Sequence, residues 1–304
     1  MAKFPALALL LLVWLSAGSA LAWNKAGHMT TGAIAYRELK AADPAALAKV
    51  LAALRLHPQY AQYWQKQVEE MPGEDGEMML FMLAARWPDD VRGRPEYHRD
   101  VWHYINYPYR PPATTTAKPE GDNVVDELEK NRGLVKTGAD AGARAIALCW
   151  VMHLTGDVHQ PLHVTALFND AFPNGDRGGT AFFIKPEEGG TISLHSLWDG
   201  LVIGSDRFQA VRNTATELVN RPELARGKFK AELAETSVET WALKESFPLA
   251  IKEVYRDGTL KAGLSKGSGA PLPPGYLEQA KPVAERQLVL AGYRLAATLQ
   301  RLMH

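Results

Sequence analysis

Cysteine is nearly absent from this chain. A single one, Cys149, stands in 304 residues, so no intramolecular disulfide can form. Charge of one sign is not in excess either: 34 Lys and Arg balance 34 Asp and Glu. That balance excludes a global basic field able to gather nucleic acid, so an anionic substrate must be held by local charge. Beyond the first residues no apolar run is long enough to span a bilayer. Internal repeats, low-complexity tracts and sustained heptads are missing too, which excludes solenoids and coiled coils. What is present is a 46% hydrophobic chain with enough apolar material for one large core.

The first residues read as an export leader. Lys3 supplies a positive start, residues 6–15 an apolar stretch, and Ala20-Leu21-Ala22 a small-x-small cleavage signal. Residues 1–22 are therefore expected to be removed, leaving one domain, 23–304, that begins at Trp23 and is periplasmic or secreted. No cysteine sits at the cleavage site, which argues against a lipid anchor.

The remainder reads as an all-α single domain with a small β-hairpin. Helical spacing covers 30–39, 44–54, 141–156, 208–218, 228–243, 246–255 and 277–302. The 141–156 stretch is too apolar for a surface helix and belongs in the core, with Pro161 ending or bending it near Gln160. Segments 180–184 and 191–194 flank a turn and predict the hairpin; 107–122 and 262–275 read as loops.

Against this background one stretch concentrates chemistry. HLTGDVHQPLH places His153, Asp157 and His163 within eleven residues, and HSLWD adds His195 and Asp199. His153 and Asp157 share a helix face at i, i+4, close enough to share one ion, and His195 and Asp199 repeat the spacing. Five such donors exceed what one zinc ion takes, so more than one metal is expected. Asp89, Asp90, His103 and His28 are further candidates. If the leader is cut after Ala22, the free amine of Trp23 joins them, because a metal can displace its proton. Nitrogen and oxygen donors suit zinc, and several zinc ions suit phosphoester hydrolysis. Three divalent ions with three carboxylates leave about +3 locally, enough to attract a phosphodiester. His57, His98, His304 and Cys149 read as structural, and His159 as structural or as support to a ligand.

The motifs resemble those of the zinc-dependent single-strand nucleases of fungi, plants and bacteria, the family that includes nucleases S-one and P-one. WNKAGH from Trp23 is similar to W-x-x-x-G-H, and ARWPDDVR to W-x-D-x-x-R. WHYINYP, HLTGDVHQPLH and LHSLWD follow in the family's order. WALKES with Tyr255, and AGYRLA from Ala291, also resemble family features. The resemblance implies the helical fold shared with zinc phospholipase C and three zinc ions. One would be held by Asp89, His103, His153 and Asp157. A second would take the amine and carbonyl of Trp23, His28 and again Asp157, which bridges the pair. The third would take His163, His195 and Asp199. Asp89 and Asp157 would thus serve catalysis, with Arg92 contacting phosphate and Tyr104 and Asn106 forming a base pocket.

The implied substrates are single-stranded DNA and RNA and 3′-nucleotides, with 5′-phosphorylated products, in a monomer without a stable protein partner. The chain departs from the family at Thr180 and Ser193, where asparagine is usual. Two rivals compete: a phospholipase C with the same metals, and a non-catalytic exported metal-binding protein.

Overall fold

The computed structural model describes residues 23–114 and 117–304; the expected leader, residues 1–22, lies outside the described residues. The chain is mostly helical. Helix α1 (Lys25–Ala42) starts at Asn24, whose side-chain oxygen accepts the Gly27 N–H at 2.9 Å. Asp43 ends it and caps α2 (Pro44–Arg55), with Pro44 in the first turn. A π-wound turn, Tyr60–Trp64, leads into α3 (Gln65–Glu69) and then α4 (Glu74–Asp90). Pro88 lies inside the last turn of α4 and removes a helical hydrogen bond there; the helix ends two residues later. Helix α5 (Val124–Thr137) is capped by Asn123, and α6 (Ala141–Asp157) by Asp140.

The remaining helices are α7 (Leu194–Gly200), α8 (Phe208–Asn220), the short α9 (Lys230–Ala234), α10 (Val238–Thr240) and α11 (Phe247–Leu249), and the long α12 (Tyr276–Met303). Helix α1 is buried almost all round and packs on α4, α12 and α8, while α6 packs on α5 and α4. This explains why α1 and α6 show little amphipathic pattern: nearly every face meets the core. No helix among the described residues is long and apolar enough to cross a membrane.

Two small three-stranded sheets accompany the helices. In the first, β1 (Tyr107–Arg110) pairs antiparallel with β2 (Ala113–Thr114) and parallel with β3 (Thr165–Leu167). The second contains the expected hairpin: β4 (Phe183–Lys185) pairs with β5 (Ile192–Ser193), and β6 (Ala270–Pro271) adds in parallel to β4.

Some expectations change. The 107–122 segment is not wholly loop, because Tyr107 and Tyr109 turn inward from β1 while Arg110 turns out. The 228–243 helix is broken at 235–237, where Ser237 accepts the Thr240 N–H and caps a new helix. Beyond Thr240 the chain alternates π and α winding to Val254. Helices α4 and α5 were not foreseen.

Candidate metal centre

Eight residues separated by up to 171 positions in sequence meet where α4 and α6 end. Helix C-termini carry partial negative charge, so this corner favours cations before any side chain is counted. Asp89 ends α4; His153 and Asp157 end α6. His103 closes a 3₁₀ turn, Asp100–His103, and His163 another, Pro161–His163. His195 and Asp199 lie on α7, and His28 lies in the first turn of α1. All eight of these side chains are buried.

Three groups of ligating atoms result. The first gathers Asp89, His103 and His153; the second His28, His153 and Asp157; the third His163, His195 and Asp199. Within the first corner, His103 Nδ1 is 3.0 Å from His153 Nε2 and 3.0 Å from Asp157 Oδ2, and the last two are 3.3 Å apart. Asp89 Oδ1 is 3.9 Å from His153 Nε2. Ligands at zinc's usual bond length in a tetrahedron are ~3.3 Å from one another. His28 Nε2 to Asp157 Oδ1 is 3.3 Å, and His195 Nε2 to Asp199 Oδ2 is 3.4 Å, so each group holds a pair near that spacing.

The imidazole tautomers follow from their outer partners. A carbonyl only accepts, so His153 Nδ1 donates to Ala85 O at 2.8 Å, His163 Nδ1 to His103 O at 2.5 Å and His195 Nδ1 to Gly178 O at 2.6 Å. In each ring Nε2 is left with its lone pair toward the centre. His153 thus has one lone pair to give. Asp157 has two oxygens, aimed at different corners, and is the residue able to serve two ions. Several of these atoms are buried without a hydrogen-bond partner: both ring nitrogens of His28, Asp89 Oδ2, Asp157 Oδ1 and His163 Nε2. Buried unsatisfied acceptors at this density are costly, and divalent cations would satisfy them.

Burial governs the electrostatics. It pushes Asp89 up to about 7, against the pull of Arg92, and raises Asp157 and Asp199 well above the usual carboxylate range. The same burial lowers His28 to about 3 and holds His103, His153 and His163 well below the ordinary imidazole value. Neutral imidazoles and carboxylates that need a cation are the protonation states that bind zinc.

The support around the centre explains other motif residues. The Trp23 indole donates to Gly156 O at 3.1 Å, which sets Trp23 beside His28 at the end of α6, and Asn24 N–H donates to Asp199 O at 3.3 Å. Asp176 accepts from Leu167 N–H at 2.9 Å and from the Tyr255 hydroxyl at 2.7 Å, pinning the loop that presents Gly178 O to His195. Gly178 has φ +61°, and a Cβ there would stand 2.5 Å from Leu162 O, so only glycine fits. The two departures are local. Ser193 caps α7 by accepting Ser196 N–H, a role asparagine also performs, and the Thr180 hydroxyl donates back to Arg177 O.

At the rim, Arg92 Nε donates to Asp89 Oδ1 at 2.9 Å, and a second guanidinium nitrogen lies 3.3 Å from Asp100. Tyr104 and Asn106 are half-buried and alternate with the buried His103, Ile105 and Tyr107. Ile105 N–H donates to His163 O, which ties that segment to a candidate ligand. Asn106 holds φ 56°, a conformation asparagine tolerates.

Of the candidate donors, Asp90 falls outside the centre: Arg86 grips it through two nitrogens and Lys25 adds a third contact. The histidines read as structural also lie apart from it. His159 faces Arg294 and the Thr155 carbonyl, and His57 stacks on Trp64. Gln160 and Gly156 were missed; both touch donors of the centre, and neither residue type announces it.

Comparison with known proteins gives the family. The sequence model of the family described as S1/P1 Nuclease matches residues 23–304. Endonuclease 4 of Arabidopsis thaliana is 27% identical, over 93% of this chain and 90% of its own length. Endonuclease 2 of the same plant is 26% identical, over 78% and 82%. Nuclease S1 of Aspergillus oryzae is 23% identical, over 75% of this chain and 80% of its own.

Proposed function

The chain belongs to the S1/P1 nuclease family, and from that premise we propose that it is an exported, trinuclear zinc endonuclease acting on single-stranded DNA and RNA, with 3′-nucleotidase activity. The observation that carries the reading is the triangle of His103 Nδ1, His153 Nε2 and Asp157 Oδ2, whose edges of 3.0, 3.0 and 3.3 Å match a zinc coordination shell.

Asp89, His103, His153 and Asp157 would hold one ion. His28, Asp157 and the amine and carbonyl of Trp23 would hold another. His163, His195 and Asp199 would hold the third. Bound zinc supplies Lewis acidity, lowers the pKa of water and offsets phosphate charge. The reaction is hydrolysis: a water oxygen bonds to phosphorus, the bond to O3′ breaks, and the departing oxygen takes up a proton, leaving a 5′-phosphate. Asp89 and Asp157, as ligands, would fix where the ions stand relative to the phosphate. Arg92, fixed by Asp89, places its guanidinium charge beside the centre, where it would offset phosphate charge. Tyr104 stacks on the base and Asn106 bonds its edge, which tolerates many bases but needs them unpaired.

The test pairs metal analysis with substrate choice. The chain starting at Trp23, stripped and reloaded with zinc, should cleave heat-denatured DNA far faster than duplex DNA, and chelation should stop it. Cleavage of phosphatidylcholine without cleavage of DNA would overturn the nuclease reading. Absence of any chelator-sensitive turnover would leave a metal-binding protein only.

A further inference from the structure

Gln160 is fully buried and uses all of its polar groups. Its main-chain N–H donates to Asp157 O at 3.0 Å, and its carbonyl accepts from His163 N–H at 2.9 Å. The side-chain Oε1 accepts Leu162 N–H at 2.6 Å. That bond decides which end of the amide is oxygen, so the other end is Nε2, which donates to Asp199 Oδ1 at 2.7 Å.

Left alone, the carboxylate of Asp199 could turn about its last torsion, which is broad and two-fold. A donor held on Oδ1 leaves Oδ2 to face His195 Nε2 at 3.4 Å. The turn that holds the donor is also the turn that presents His163. We propose that Gln160 is a positioning residue of the third ion: it sets the Asp199 carboxylate and ties it to His163 and to the carbonyl of Asp157. This rests on the trinuclear reading above. A bland alternative is that Gln160 serves only its own turn, through Leu162.

A double-mutant cycle separates the two. Zinc content and stepwise affinity are measured by competition with a chelator for the wild type, Gln160→Met, Asp199→Ala and the double variant, with circular dichroism as the check on folding. Methionine keeps the length and volume of the side chain and loses the donor. The wild type should bind three zinc ions. Gln160→Met should weaken one of them roughly 10- to 100-fold, the usual loss when a residue supporting a ligand is removed, and leave the other two unchanged. In the Asp199→Ala background the same substitution should cost nothing further. An unchanged third affinity in Gln160→Met, or an equal loss in both backgrounds, overturns the proposal while sparing the trinuclear reading. A wild type that binds fewer than three ions overturns both. Should Gln160→Met fail to fold, the wild type decides: the side-chain amide protons of Gln160, followed by nitrogen-15 NMR with labelled glutamine, must shift in Asp199→Ala. Unmoved resonances there reject the role.

Discussion

Gly156 and His28 touch in a way that only a missing side chain permits: a Cβ on Gly156 would stand 2.9 Å from Nδ1 and 3.1 Å from Cε1 of His28. Replacing a helical glycine by alanine ordinarily stabilises by about 1 kcal/mol. Overpacking costs about 1–3 kcal/mol, so here the clash cancels or outweighs the gain. Gly156→Ala should displace His28 and weaken the ion it holds roughly 10- to 100-fold. Zinc titration and thermal melting check this; a higher Tm with unchanged affinity would contradict it.

Trp23 makes a second prediction. Its indole is anchored on Gly156 O, one turn of helix from His153. Retaining even two residues before Trp23 turns its amine into an amide, which cannot take the same place on a metal. Such a chain should fold, with the indole still buried, yet lose one zinc of the bridged pair and most of its turnover. Full zinc content and activity in the extended chain would show that the amine is not a ligand.

Arg92→Lys tests shape against charge. Lysine keeps the charge but loses the planar fork that reaches Asp89 and Asp100 together. A hydrogen bond to a charged group is worth about 1.5–3 kcal/mol, so kcat/KM on denatured DNA should fall roughly 10- to 150-fold. A loss below two-fold would remove Arg92 from phosphate contact.

Tyr104 should act through its ring. Stacking on an aromatic side chain is worth about 1–3 kcal/mol per base. Tyr104→Ala should therefore lower kcat/KM on dinucleotides by roughly 5- to 150-fold, and Tyr104→Phe by little. Equal losses for both variants would point to the hydroxyl instead.

Asp176 gives the pH dependence. Burial pushes its carboxyl up to about 6, against the Tyr255 hydroxyl and the loop N–H groups that favour the charged form. The native state therefore binds more protons than the unfolded one between the unfolded value near 4 and about 6. Its contribution to stability is fully present below pH 4 and is lost as pH rises through 6. Two units correspond to about 3 kcal/mol. In urea unfolding of metal-free protein, the stability gap between wild type and Asp176→Asn should shift against the wild type by up to that amount from pH 4 to pH 7. A pH-independent gap would mean that the carboxyl titrates normally.

The centre was readable in the sequence wherever geometry is local. His153 with Asp157, and His195 with Asp199, are four apart on helices, and helical pitch alone puts each pair on one face. The bonds that orient these donors were not readable. Gln160 meets Asp199 across 39 residues, and His153 meets the Ala85 carbonyl across 68, with no pattern in either stretch to announce it. The fold shows the same division. Helix α1 was legible by its spacing from residue 30 on, while its start at Asn24 was not. Helix α4 was hidden because its run from Met78 to Trp87 is buried on nearly every face and is followed by Pro88. The Pro-rich 107–112 stretch read as loop because β1 pairs only with residues supplied from 113–114 and 165–167.

The closure of the centre bears on time as well as on affinity. Side chains of His28, His153 and Asp157 have no contact with solvent. Moving any of them aside would require α1 or the turn after α6 to open, an excursion set by local unfolding. If they hold metal, the frame that keeps the ion would last for as long as that opening is slow, whatever reaches the open side of the ion.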